Sequence, residues 1–169
     1  MENSTGQLAL VTGASSGIGL ELAKLFATHG YDLVIVAEDD GINTAAETLR
    51  SLGPIVESVQ ADLATREGVE KLWQRVEAKG RPVDAIAINA GVGVGGPFLS
   101  TDLDDEINLI NLNITGAVHL AKYVLQQMAE RGEGRILITS SIAAEMPAPF
   151  GRVRRVEGVP PLLRRSTAE

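Results

Sequence analysis

Apolar runs and amphipathic stretches take turns along most of this chain. Gln7–Val11, Asp32–Val36, Ile55–Val59, Asp84–Ile88 and Arg135–Thr139 are short and mostly apolar, with glycine, proline or charged residues between them and the next element. Runs of that length predict strands buried on both faces. Helical patterns fill the gaps. Gly17–His29 places Ile18, Leu22, Leu25 and Phe26 on a predicted inward face, and Gly30 supplies the stop. Asn43–Leu52 predicts a second helix, closed by Gly53 and Pro54. Thr65 is expected to cap a third helix through Lys79, with Val69, Leu72, Trp73 and Val76 turned inward. Gly91–Pro97 is a loop, after which Thr101-x-x-Asp104 resembles a capping box that opens a long helix to about Arg131. Strands separated by helices predict an α/β fold, a Rossmann-type doubly wound parallel sheet of five strands with helices on both faces.

Composition narrows the chemistry. A length of 169 residues suits one domain. Cysteine is absent, so disulfides, thiol nucleophiles and zinc–thiolate sites are excluded. His29 and His119 are the only histidines and neither has a carboxylate–histidine cluster around it, so no metal site is expected. A net charge of −7 argues against nucleic acid as a partner. No apolar run nears membrane-spanning length and Met1–Gly6 is polar, so no membrane association is expected and the chain reads as cytoplasmic.

The charge is uneven. Residues 151–169 hold Arg152, Arg154, Arg155, Arg164 and Arg165 against Glu157 and Glu169, a net of +3, while the preceding 150 residues carry −10. The change at Gly151 divides the chain into a body, 1–150, and an Arg-rich tail, 151–169, that is expected to be disordered or only partly helical.

The strongest local motif is Thr12-Gly13-Ala14-Ser15-Ser16-Gly17-Ile18-Gly19, between the first strand and the first helix. Glycine lets the backbone approach a pyrophosphate, and the helix start offers free N–H groups and a positive dipole end. No Lys-Ser/Thr pair follows the last glycine, so a nucleoside-triphosphate P-loop is excluded.

This motif resembles that of the short-chain dehydrogenase/reductase family, and three more matches follow in order. They are Asn89-Ala90-Gly91 after the fourth strand, Asn113-Ile114-Thr115-Gly116 in the long helix, and Ser140-Ser141 ending the fifth strand. The resemblance covers residues 7–150 and implies hydride transfer between a nicotinamide cofactor and an alcohol or ketone. It implies cofactor binding by Gly13, Ser15, Ser16, Gly17, Ile18 and Gly19, with Asp62 and Leu63 flanking the adenine and Asn89, Ala90 and Gly91 approaching the cofactor. Glu38, at the end of the second strand, is the candidate ribose carboxylate, with a merely solvated turn over Glu38–Asp40 as the alternative. A carboxylate there repels a 2′-phosphate and neither this position nor Ser16 is basic, so NAD is favoured over NADP.

The resemblance also implies that Ser141 hydrogen-bonds the substrate oxygen and that Asn113 holds a water for proton relay. Ser140 is the alternative to Ser141, and both serines could instead be ordinary polar residues at a strand end. The family's tyrosine and lysine have no counterpart. Y-x-x-x-K is expected about a dozen residues after Ser141, where the chain has Phe150-Gly151-Arg152-Val153-Arg154-Arg155-Val156-Glu157. Tyr31 and Tyr123 lie elsewhere, and loss of a general acid typically costs ~10²–10⁴ in rate.

The gap and the charge jump coincide, which suggests that residues from Gly151 onward are translated out of frame. Decoding Gly151–Ala168 one base later permits A-V-Y-G-A-S-K-A-F-L-R-S-F-A-E-A-L-R. That string contains Y-x-x-x-K at the expected distance. The Glu157–Gly158 junction decodes only as lysine or arginine, while wobble elsewhere permits the match without forcing it. Two outcomes are expected from such a chain: an oxidoreductase by descent, or a catalytically inactive dinucleotide-binding fragment. A regulatory Rossmann-type sensor is the third reading. Without the family's last strands the fifth strand becomes an exposed apolar edge. The homodimer or homotetramer of the intact family, joined through the long helix, becomes uncertain.

Overall fold

The structure, a computed structural model, describes residues 6–141. The Arg-rich tail and everything expected of it lie outside the described residues. Five strands, β1 (Leu8–Thr12), β2 (Asp32–Ala37), β3 (Val56–Gln60), β4 (Ala85–Ile88) and β5 (Arg135–Ile138), form one parallel sheet in the order β3-β2-β1-β4-β5. Between them run α1 (Gly17–Thr28), α2 (Gly41–Arg50), α3 (Arg66–Glu77), α4 (Leu103–Ile110) and α5 (Ala117–Arg131). This is the expected Rossmann-type fold with the five strands predicted.

Alternation along each strand divides the core between two faces. Leu8, Leu10, Val34, Val36, Ile86 and Ile88 pack with Leu72, Trp73 and Val76 of α3 and with Leu120, Val124 and Met128 of α5. Their neighbours Ala9, Val11, Leu33, Ile35, Ala85 and Ala87 pack with α1 and α2. Every residue of β1 and β2 is buried, as a strand covered on both sides must be.

Three local expectations are corrected. In α1 Leu22 and Phe26 pack against the core as expected, but the fully buried residues are Gly19, Ala23 and Ala27, and Ile18 and Leu25 are exposed. The buried set has a spacing of four, and small side chains let the helix lie close to the sheet. The cap of α4 is Asp102, whose carboxylate accepts from Asp104 N at 2.8 Å. Thr101 instead bonds to Glu106 through its hydroxyl. The long helix is not uniform either: a π-helical turn, Asn111–Gly116, joins α4 to α5. The cap at Thr65 is as expected, its hydroxyl accepting from Gly68 N.

Candidate functional site

Strand order reverses between β1 and β4, so their connections leave in opposite directions and a crevice opens beyond their carboxyl ends. Hydrogen bonds hold its rim together. Gly13 N and Ala14 N both donate to Val36 O, at 2.8 and 3.2 Å, tying the start of the glycine-rich loop to β2. The buried Thr12 hydroxyl accepts from Asn89 N and Ala90 N, each at 2.9 Å. Asn89 Nδ2 donates to Thr12 O at 3.2 Å, and its Oδ1 accepts from the Thr139 hydroxyl at 2.9 Å. Three side chains, of Thr12, Asn89 and Thr139, thereby lace together the ends of β1, β4 and β5.

The floor is the start of α1. Ser16 occupies the N-cap position, yet its side chain makes no capping bond. The N–H groups of the first turn have no partner within the helix and carry the positive end of its dipole. A Cβ on Gly19 would run into the Gly13 carbonyl oxygen, so loop and helix meet too closely for any other residue. Nothing lies within 4 Å of where a Cβ on Gly17 would stand, and its φ of +55° favours glycine. An open face with unpaired donors suits an anion, and a pyrophosphate above all.

An open cleft of about 210 Å³ sits over this floor. Gly13, Ser15 and Ser16 of the loop line it, with Glu38 at the end of β2. Asp62 and Leu63 after β3 and Asn89, Ala90 and Gly91 after β4 complete the part legible from the sequence. Gly17, Ile18 and Gly19 belong to the first turn of α1 and do not themselves line the cleft. The lining also includes Ala37, Asp39, Ala61, Val92 and Leu112. All but Asp39 are apolar, and each stands within one or two positions of a residue already singled out, so adjacency to a strand end, or for Leu112 to Asn113 on the π-helical turn, is the signal that finds them. Among the described residues, the lining side chains that carry charge are Glu38, Asp39 and Asp62, with no lysine or arginine.

Asn113 lies on the π-helical turn, and its amide grips Val92 at both ends. Nδ2 donates to Val92 O and Oδ1 accepts from Val92 N, both at 2.9 Å. The side chain thus fixes the loop after β4 instead of lining the cleft. Ser141, three residues past β5 and exposed, is not among the lining residues either. Thr139, two residues earlier, is the group that bonds to Asn89.

Both tyrosines are committed elsewhere. Tyr31 is buried edge-on to Phe26, ring centroids 5.3 Å apart. Tyr123 stacks on Trp73 at 5.0 Å and donates to Glu70 Oε1 at 2.8 Å. That bond to the carboxylate, aided by burial, raises the phenol above its ordinary value. Neither ring lines the cleft. No helix among the described residues is long and apolar enough to cross a membrane.

The sequence matches the model of the short chain dehydrogenase family over residues 7–153. Among curated proteins it is similar to oxidoreductase UcpA of Salmonella typhimurium, 38% identical over 152 residues, which is 89% of this chain and 57% of that protein. Among solved structures it is similar to L-sorbose reductase from Gluconobacter frateurii in complex with NADPH and L-sorbose, with TM-score 0.82, 33% identity, and coverage of 90% of this chain and 59% of the other. An NAD⁺-bound xylitol dehydrogenase aligns with TM-score 0.81 and 28% identity, covering 90% of this chain and 59% of the other. The chain therefore spans under two thirds of the length of these relatives.

Proposed function

We propose that this chain, which belongs to the short chain dehydrogenase family, serves hydride transfer between NAD(P) and an alcohol or ketone, with NAD the preferred dinucleotide. The observation that carries this reading is the uncapped start of α1 opening into the cleft at the point where strand order reverses. The donor set fits the group: free N–H groups face the pyrophosphate position, and the acidic wall at Glu38 suits two ribose hydroxyls. Asp62 and Leu63 would flank the adenine. Asp62 is held for this by its own turn, Oδ1 accepting from Ala64 N at 2.8 Å.

When bound, the nicotinamide accepts or gives the hydride. This chain's residues do the positioning. Asn89, held by Thr12 and Thr139, keeps the turn after β4 close to the loop after β1. Asn113 steadies the next residues through Val92, and its family role is to hold a water for proton relay. Ser141 would hydrogen-bond the substrate oxygen. A carbonyl that accepts hydride also requires a proton, and the family draws it from a tyrosine.

A second reading is favoured by the placement of Tyr31 and Tyr123, both engaged away from the cleft. In this reading the chain binds the dinucleotide without normal turnover. The frameshift at Gly151 would account for both readings, because it removes Y-x-x-x-K and leaves the binding half intact. Calorimetric titration with NAD and NADP, run beside an NADH absorbance assay on secondary alcohols, tests the two together. Binding is expected, with NAD tighter. Absence of any binding overturns the proposal, whereas binding with turnover at an ordinary rate overturns the second reading alone.

A further inference from the structure

Thr139 fastens β5 to its neighbour just before the chain reaches Ser140 and Ser141. Its N–H donates to Ile88 O at 3.0 Å, and its hydroxyl donates to Asn89 Oδ1 at 2.9 Å. The other end of that amide reaches the glycine-rich loop, where Asn89 Nδ2 donates to Thr12 O at 3.2 Å and to Gly13 O at 3.5 Å. Little space separates the amide from the loop. A Cβ on Gly13 would lie 3.2 Å from Asn89 Nδ2, and one on Gly19 would lie 2.7 Å from it. One side chain thus spans from the end of β5 to the loop on which a pyrophosphate would sit.

From this arrangement we infer that Thr139 is a positioning residue that couples the two halves of the site. Acting through Asn89, it sets the glycine-rich loop against the end of β5 that leads to Ser141. The inference rests on the dinucleotide reading above. The backbone of the turn after β4 is fastened separately, by the Thr12 hydroxyl that accepts from Asn89 N and Ala90 N. Loss of the Thr139 hydroxyl therefore leaves that turn in place and frees the Asn89 amide alone. The last torsion of an asparagine side chain is broad, so a freed amide rotates and Nδ2 no longer aims at the two loop carbonyls. Coupling of this kind works in both directions. If the bond helps the loop to hold a dinucleotide, a bound dinucleotide holds the end of β5 more firmly.

Two measurements on the whole chain and its variants test this, with circular dichroism to show that each is folded. One is the dissociation constant for NAD, by calorimetry. The other is amide hydrogen exchange by NMR, with and without NAD, at residue 139 and at Arg135. The Arg135 N–H donates to Asp84 O at the far end of the same strand, so the ratio of the two exchange rates cancels any general stabilisation by the ligand. In the unmodified chain NAD should slow exchange at residue 139 relative to Arg135 by about fivefold, the worth of one ordinary hydrogen bond. Thr139→Val keeps the shape and removes the hydroxyl. It should weaken NAD binding by about fivefold and abolish the response at residue 139. Thr139→Ser should restore both. Ile136→Ala weakens β5 while leaving the bond to Asn89 in place, and should retain the affinity and the response.

A folded Thr139→Val chain that binds NAD as tightly as the unmodified one overturns the inference while leaving the dinucleotide reading in place. So does an Ile136→Ala chain that loses affinity and response to the same degree, because the effect would then be a general loosening of β5. Failure of the unmodified chain to bind either NAD or NADP overturns the dinucleotide reading itself, and the inference with it. Should Thr139→Val not fold, Thr139→Ala carries the same expectation.

Discussion

β1 and β5 are both short, apolar and parallel to their neighbours, yet β1 is fully buried and β5 is exposed along its whole length. β1 lies between β2 and β4 with helices on both faces, whereas among the described residues β5 pairs only with β4. Ile138, at its end, is 65% exposed, and Leu10 of β1 is 0% exposed. Arg-Ile-Leu-Ile has the composition of a central strand. What it lacks among the described residues is a neighbour on its outer edge and cover on its faces. An apolar strand with an open edge invites pairing with whatever next offers a backbone. Burial is therefore a property of position in the sheet, and the same local pattern serves both outcomes.

The largest effect should come from supplying the cover. Replacing residues 151–168 by the one-base-later reading, A-V-Y-G-A-S-K-A-F-L-R-S-F-A-E-A-L-R, restores a candidate general acid and a helical pattern. NADH-linked turnover should rise by ~10²–10⁴. Unchanged turnover, or a gene whose downstream sequence has no Y-x-x-x-K in any frame, would sink the frameshift.

Core truncation then separates the strands by stability. Leu10→Ala should cost about 2–5 kcal/mol in urea unfolding, the usual price of a cavity in a packed core. Ile138→Ala should cost no more than about 0.5 kcal/mol, as for other exposed positions. Equal costs would mean that β5 is covered in solution.

The lacing at the carboxyl ends permits a finer comparison. Thr12→Val leaves the half-buried backbone N–H groups of Asn89 and Ala90 without their acceptor, and about 1–3 kcal/mol should be lost. Thr139→Val, at the exposed end, should cost nearer 0.5–1.5 kcal/mol, the net worth of an ordinary hydrogen bond. Parallel urea melts check the order of the two.

The smallest effect concerns the helices that cover β1 and β4. Tyr123 holds its proton more tightly when folded than when unfolded, because its hydroxyl donates to Glu70. Its contribution is complete below the ordinary phenol value of about 10 and is lost as pH rises through the higher folded value. Alkaline unfolding should therefore be steeper for the unmodified chain than for Tyr123→Phe. Identical curves above pH 10 would show that the bond does not form in solution.

Much of the site could be read directly because phosphate binding is done by backbone, and glycine spacing reports backbone. Gly13, Ser15, Ser16 and Glu38 all face the cleft for that reason. Asp39 was harder to single out. Beside Glu38 it looks like another solvated acid, and only its bond to the Ser15 hydroxyl, 24 residues earlier, shows that its carboxylate is held. The inward face of α1 was half legible: Leu22 and Phe26 pack against the core as expected, but Ile18 and Leu25 are exposed, and the fully buried positions of a helix pressed close to a sheet go to the small Gly19, Ala23 and Ala27.

The sequence by itself determined the parallel α/β order, the glycine-rich loop at the start of α1, and family membership, because each depends on local spacing or on residue type. The tertiary structure alone decided that Thr12, Asn89 and Thr139 close the ends of three strands and that Asn113 clasps Val92. It also decided that one of two adjacent carboxylates is fixed while the other is free. These are contacts between segments far apart in the chain. No local pattern encodes them, because hydrogen-bond partners are chosen by where the strands bring their ends together.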